Sequence, residues 1–225
     1  MNKTKIEWTD YTWNPVTGCL HGCPYCYARK IALRFPKAFP KGFNPTLRPD
    51  RLGEPHFIKK PSRIFTVSMG DLFGNWVPEL WQRVILETIT HCPQHTFQIL
   101  TKAPENIHQH IDRWPGNVWI GISLTGTEHP DEAIRKIRLV KEHRGIRFIS
   151  FEPLLGSPQV LHTDLRGINW VIVGAQTNPF KAPDVKWIQR VENMARFNRC
   201  ALFIKNNAKY NGSQDFPQVG PGSVC

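Results

Sequence analysis

The chain has 225 residues, with 29 Lys and Arg against 18 Asp and Glu, a formal charge of +11. A chain of this length buries roughly 70% of the surface its unfolded form exposes, enough for a full core without disulfide staples. Its 40% hydrophobic and 21% charged residues exclude a disordered chain. No apolar run approaches the ~18 residues of a membrane span, and the polar start MNKTKIEWTD has no signal-peptide core. The expectation is a soluble, cytoplasmic protein with no membrane partner, whose charge attracts polyanions.

In chain order, a short strand near Thr12–Val16 precedes a helix over Cys23–Arg34. Strands are then expected at Arg63–Ser68, Thr96–Thr101, Val118–Ser123, Arg147–Phe151, Asn169–Val173 and Ala201–Lys205, where β-branched and aromatic residues run together. Helices are expected at Pro78–His91, Pro104–Arg113, Pro130–His143 and Asp184–Asn198; the first three open on proline, whose fixed φ suits the first helical position. Apolar strands separated by helices mean parallel βα units, about seven in all. The fold class is therefore α/β, read as a partial (β/α)6-7 TIM-like barrel, although a doubly wound sheet produces the same pattern. The core is expected over 1–205, followed by a polar, loosely ordered tail over 206–225.

One stretch breaks the rhythm. Arg29–Arg63 holds ten basic and two acidic residues, six prolines, and the interleaved Phe35, Phe39, Phe43 and Phe57. It reads as an insertion over about 35–62. Loops of this length are usually functional or disordered, and cations with aromatics suit a DNA or RNA partner, phosphates on the cations and bases on the rings. A cover of phenylalanines over the core, with lysines facing solvent, is the plainer reading.

Three of the six cysteines, Cys19, Cys23 and Cys26, fall within eight residues, while Cys92, Cys200 and Cys225 are scattered. A disulfide framework would spread them evenly. Three thiolates on one tight loop, with Gly18 and Gly22 to let it curl, select an iron–sulfur cluster, zinc or copper(I). Three ligands for four irons leave one iron open, whereas structural zinc wants four ligands. His21 could serve as a fourth only with strained geometry. The competing class is thus a non-enzymatic, zinc-stabilised nucleic-acid-binding module.

The run C-x3-C-x-aromatic-C, with Tyr25 as the aromatic, resembles the signature of the radical S-adenosylmethionine (SAM) superfamily. The segments KIEWTDYTWNPVTG (5–18), SMGDLF (68–73), PQHTFQILTK (93–102), FISFEPLLG (148–156) and WVIVG (170–174) resemble a phage-associated three-cysteine family, in which the first cysteine gap is often longer. The Thr101-Lys102 pair is similar to that of spore photoproduct lyase, a DNA-repair member of the superfamily. The resemblance implies that Cys19, Cys23 and Cys26 hold a 4Fe–4S cluster. It implies SAM on the open iron, an external electron donor, and a 5′-deoxyadenosyl radical that abstracts hydrogen from the substrate, for which nucleic acid repair or modification is the hypothesis.

In parallel βα folds active-site groups come from the carboxyl ends of strands. That filter selects Ser68, Gly70, Asp71, Lys102, Ser123 and Glu152. The resemblance implies that Ser68, Gly70 and Asp71 meet the SAM amino group, Lys102 its carboxylate, Ser123 and Glu152 SAM or substrate, and Tyr25 of the cysteine motif the adenine. Gln176, Lys205 and Asn206 are substrate-pocket candidates, and Trp76 could line the pocket. Each also has a bland alternative, such as a helix cap for Asp71 or a solvated lysine for Lys102. The filter puts Cys92, Cys200, His91 and His95 on the opposite, stability face. Cys225 is a minor candidate for a hydrogen-atom donor, and no catalytic residue is singled out.

Overall fold

Strands buried on both faces pair in parallel only if each crossover brings the chain back across the sheet. The computed structural model, which describes residues 1–109, 111 and 114–218, meets that condition in two compact units, Met1–Trp119 and Ile120–Cys225.

The first unit contains β1 (Asn2–Lys3), β2 (Tyr11–Trp13), β3 (Val16–Thr17), α1 (Tyr27–Arg34), β4 (Thr46–Leu47), β5 (Arg63–Thr66), α2 (Glu79–Thr90) and β6 (Thr96–Thr101). β1 lies antiparallel to β2, and β2, β5 and β6 run parallel with Thr12 opposite Phe65 and Phe65 opposite Gln98. The Asp10 carboxylate pins this register, accepting from the Arg63 backbone N–H at 2.8 Å and from its guanidinium. Trp8 packs at a tilt on Phe65 and Trp13 meets Phe97 edge-on, all buried in the core. α2 turns Ile85 and Ile89 inward, each burial worth about 1.5–3 kcal/mol.

Three expectations change here. The first helix starts at Tyr27 rather than Cys23, because Cys26 is extended and its Sγ caps the helix by accepting from the Arg29 N–H at 3.4 Å. The strand from Arg63 stops at Thr66, where Val67 takes a left-handed φ of 62° and turns the chain. The helix expected at Pro104–Arg113 is only a 3-10 turn over Pro104–Asn106, and the end of that expected helix lies outside the described residues. Ile107, Ile111 and Trp114 are buried at helix-like spacing, but loop bonds place them. The Asn106 amide donates to the Phe73 carbonyl at 2.7 Å and the Trp114 indole to the Ile107 carbonyl at 3.1 Å.

The basic insertion is fastened rather than irregular. β4 pairs antiparallel with β3, the Trp13 indole donates to the Arg51 carbonyl at 2.7 Å, and the Arg48 N–H donates to the Pro15 carbonyl at 2.7 Å.

The chain enters the second unit within β7 (Val118–Leu124), buried at all seven positions. α3 (Pro130–Val140), β8 (Arg147–Phe151), β9 (Trp170–Val173), the β10 (Gln176–Thr177) and β11 (Phe180–Lys181) hairpin, α4 (Val185–Phe197) and β12 (Ala201–Ile204) follow. β7, β8, β9 and β12 are parallel neighbours. Gly121 is required in β7, since a Cβ there would lie 2.4 Å from the Phe148 ring. Asp184 caps α4 by accepting from the Lys186 N–H at 2.7 Å, and Ile188, Val191 and Met194 face inward. The tail expected to be loose is docked as far as Phe216. Ser213 and Asp215 exchange backbone bonds with Ile204 and Leu202, and Phe216 packs on Trp170 and Phe203. Its end, including Cys225, lies outside the described residues. The class is thus α/β with mostly parallel strands, as expected.

Candidate active site at the three-cysteine loop

The loop that carries the cysteines is clamped where β5 ends. The Gly18 N–H donates to the Met69 carbonyl at 2.8 Å, and Gly18 bridges Gly70 in parallel fashion. A Cβ on Gly70 would sit 2.8 Å from the Gly18 carbonyl oxygen. A Cβ on Gly18, which has φ +92°, would sit 2.3 Å from the Asn44 carbonyl oxygen of the insertion. Glycine at both positions is what lets the loop lie between the strand end and the insertion.

Cys19, Cys23 and Cys26 are half-buried free thiols. Burial pushes the Cys19 thiol up to about 12, against a hydrogen bond from the His21 N–H, and the charges of Asp71, Cys23 and Cys26 raise it further. Among the described residues no three His, Cys, Asp or Glu side chains converge into a metal-holding group. In kind and number the donors fit a soft metal centre. A positive centre at this loop would favour thiolates, the form in which cysteine ligates metal.

Asp71 is the hub behind this loop and is only 4% exposed. Its Oδ1 accepts from the Thr101 hydroxyl at 2.7 Å and from the Phe73 N–H at 3.0 Å. Its Oδ2 accepts from the Lys102 N–H at 2.9 Å and lies 2.7 Å from His21 Nε2. One carboxylate thereby joins the ends of β5 and β6 to the cysteine loop. The His21 ring also meets Trp76 edge-on at 4.8 Å, which brings Trp76 beside the loop.

Around the hub, Lys102 Nζ donates to the Tyr25 hydroxyl at 3.1 Å and lies 5.6 Å from the ring centroid. The Tyr27 hydroxyl donates to the Ser68 carbonyl at 2.6 Å. Asn14 Oδ1 accepts from the Ser68 hydroxyl at 3.2 Å and from the Met69 N–H at 2.8 Å. The first unit therefore gathers Tyr25, Ser68, Gly70, Asp71 and Lys102 with the three cysteines. Sequence reasoning missed Asn14 and Tyr27, noted Thr101 only in its pair with Lys102, and weighed His21 only as a zinc ligand. The available signal was position, since Asn14 and Thr101 end strands and Tyr27 follows the last cysteine.

Ser123 and Glu152 belong to the second unit. Ser123 is buried opposite Ser150, whose hydroxyl donates to Glu152 Oε2 at 3.1 Å. Glu152 Oε1 pairs with Lys205 Nζ at 2.5 Å, both side chains mostly buried. A Cβ on Gly174 would come 2.8 Å from that carboxylate. Gln176 donates to the Pro179 carbonyl inside the hairpin, and Asn206 accepts from Gln214.

The remaining described cysteines are single. Cys92 is fully buried with Sγ 3.3 Å from His56 Nδ1, and Cys200 donates to the Ile168 carbonyl at 3.1 Å. His91 bonds within its own helix end, and His95 lies against the Pro55 and Ile58 carbonyls of the insertion.

Fold and site together define a mostly parallel α/β protein with a three-thiol loop fastened at the carboxyl end of its strands. The chain belongs to the family described as protein of unknown function (DUF5131), whose model matches residues 3–220. No curated protein matches it. Among solved structures it is similar to spore photoproduct lyase complexed with dinucleoside spore photoproduct, at TM-score 0.52 and 13% identity over 87% of this chain and 63% of that one. It is also similar to a tyrosine-to-phenylalanine variant of the lyase, at TM-score 0.57 and 12% identity over 91% of this chain and 79% of that one. A double variant with bound AdoMet and dinucleoside spore photoproduct matches at TM-score 0.50 and 12% identity, over 87% and 63%. The chain spans 63% of the first of these structures, and the likeness is one of fold. No helix among the described residues is long and apolar enough to cross a membrane.

Proposed function

We propose that this chain is a radical SAM enzyme on a partial (β/α) barrel, acting on nucleic acid in repair or modification. The observation that carries the reading is the three-thiol loop, clamped through Gly18 and Gly70 at the carboxyl end of β5. Its support is a fold similar to spore photoproduct lyase, structures of which hold AdoMet and dinucleoside spore photoproduct. The phage association implied by the sequence resemblance and the basic Arg29–Arg63 segment suit the same substrate class.

Cys19, Cys23 and Cys26 would hold a 4Fe–4S cluster with one iron left for SAM. Together cluster and SAM would supply one-electron reductive cleavage of the sulfonium and hydrogen abstraction from the substrate, with an external electron donor. The chain's own residues bind and orient. Asp71, with four donors on it, holds the loop in shape through His21 and sets Lys102 by its backbone. Lys102, steadied by the Tyr25 hydroxyl, offers a cation for the SAM carboxylate. Ser68 and Gly70 line the strand end for the amino group. In the second unit, Glu152 pairs with Lys205. A cytoplasmic setting keeps such thiols reduced.

The test is turnover. Anaerobically reduced protein given SAM should release methionine and 5′-deoxyadenosine, and Cys23→Ala should not; undiminished release by that variant removes Cys23 from the ligand set. One observation favours the zinc-module reading: His21 against Asp71 resembles the carboxylate–histidine arrangement behind zinc-bound histidines. Metal analysis separates the two.

A further inference from the structure

α1 leaves the cysteine loop with an unusual outer face. Its small residues Ala28 and Ala32 are buried, while Tyr27 (42% exposed), Ile31 (39%) and Phe35 (51%) stand in solvent at successive four-residue steps. Such spacing puts them in one row along the helix, with about 6 Å between neighbours. Apolar side chains are normally turned inward on a helix this short, and here the sequence does the reverse.

The chain that forms and follows the row is basic, with Arg48 at its end paired to Asp50. From Tyr11 to Pro49 the sequence contains no Asp or Glu, yet it contains Arg29, Lys30, Arg34, Lys37, Lys41 and Arg48. Two of these cations lie against aromatic rings, Arg34 5.5 Å from the Phe35 centroid and Arg29 5.7 Å from the Phe43 centroid. The row is also fixed to the site. Cys26 caps the helix, and Tyr27 reaches the Ser68 carbonyl at the end of β5.

We propose that this face of α1 binds single-stranded nucleic acid, with bases on Tyr27, Ile31 and Phe35 and phosphates on the surrounding cations, leading a strand toward the cysteine loop. The proposal rests on the nucleic-acid reading above and narrows it. Exposed rings and an aliphatic side chain gain from an unstacked base, which has a free π-face. In a duplex those faces are already stacked, and only the phosphates remain to be met. A second protein would have to bring carboxylates to meet a run, Tyr11 to Pro49, that has six cations and no Asp or Glu, and a second copy of this chain would set like charges against each other.

The experiment is fluorescence anisotropy with a labelled short strand of mixed sequence, as DNA and as RNA, alone and annealed to its complement, over a range of salt. The single strand should bind at least about tenfold more tightly than the duplex. Phe35→Ala and Ile31→Ala, both at exposed positions, should each weaken single-strand binding about fivefold or more while leaving duplex binding and the melting temperature unchanged. Lys37→Gln with Lys41→Gln should lower both affinities and flatten the salt dependence. Equal binding of strand and duplex, with Phe35→Ala and Ile31→Ala behaving like the parent, overturns the α1 face but leaves a nucleic-acid substrate in place. Absence of binding to any form overturns both. Concentration-dependent self-association lost in Phe35→Ala, without strand binding, assigns the face to a second copy instead.

Discussion

The cysteine loop and Cys200 put the same side chain in two different settings. Cys19, Cys23 and Cys26 share one loop, half-buried and near enough for Cys23 and Cys26 to oppose ionisation of Cys19. Cys200 sits ahead of β12, where burial pushes its thiol up to about 11 and its Sγ–H donates to the Ile168 carbonyl. Burial raises the thiol in both places, so a raised thiol alone distinguishes nothing. What separates them is company, because Cys19 has two further thiols and Asp71 adding to its rise whereas Cys200 has a backbone carbonyl.

The largest expected difference is chemical. Cys23→Ala should bring release of 5′-deoxyadenosine down to background, and Cys200→Ala should leave it at the parental rate. Equal loss in both variants would erase the distinction.

Next comes the support behind the loop. Asp71→Ala removes the acceptor for the Thr101 hydroxyl and for two backbone N–H groups. Leaving buried donors without partners should cost about 3–5 kcal/mol in urea unfolding. Asp71→Asn should fall between the two. A loss below about 1 kcal/mol would mean that the hub does not hold the loop.

Cys200 should register in alkali. Its thiol keeps a proton in the fold until about pH 11, whereas the unfolded chain releases it near ~8.5. Between those values the folded form binds more protons, so this contribution is whole below pH ~8.5 and is lost as pH rises toward 11. Partial exposure discounts it to about 1 kcal/mol. Cys200→Ala should flatten the decline, and an unchanged slope would refute the neutral, buried thiol.

The smallest effect lies at the strand register. Hydrogen bonds from Arg63 hold the Asp10 carboxyl below its usual range despite the opposing cost of burial. Its stabilisation is present above pH ~3.9 and is lost as pH falls. Asp10→Asn should cost at most about 1 kcal/mol at neutral pH and nothing in acid, read from unfolding curves at both.

Much of this was visible in the residues. Strand positions such as Thr96–Thr101 and Arg147–Phe151 follow from β-branched and aromatic runs that a doubly covered sheet requires. The cysteine loop follows from spacing alone. The segment after Lys102 misled, because Ile107, Ile111 and Trp114 copy a helical stripe while their places are set by bonds to Phe73 and within the loop. The tail misled for the opposite reason. Its polar composition hides Phe216, one ring that finds Trp170 and Phe203. The site's wiring was the least legible part. Nothing local in the sequence says that Asp71 will face His21, 50 residues away, or that Asn14 will hold the turn after β5. Such pairs are products of the fold.

The central claim is that the loop's three thiols carry an iron–sulfur centre with an open position. Anaerobic reconstitution followed by metal and sulfide analysis tests it directly. The account predicts a brown protein containing iron and sulfide in equal amounts, with visible absorbance bleached by dithionite and altered on adding SAM. A colourless protein holding one tightly bound zinc would contradict it.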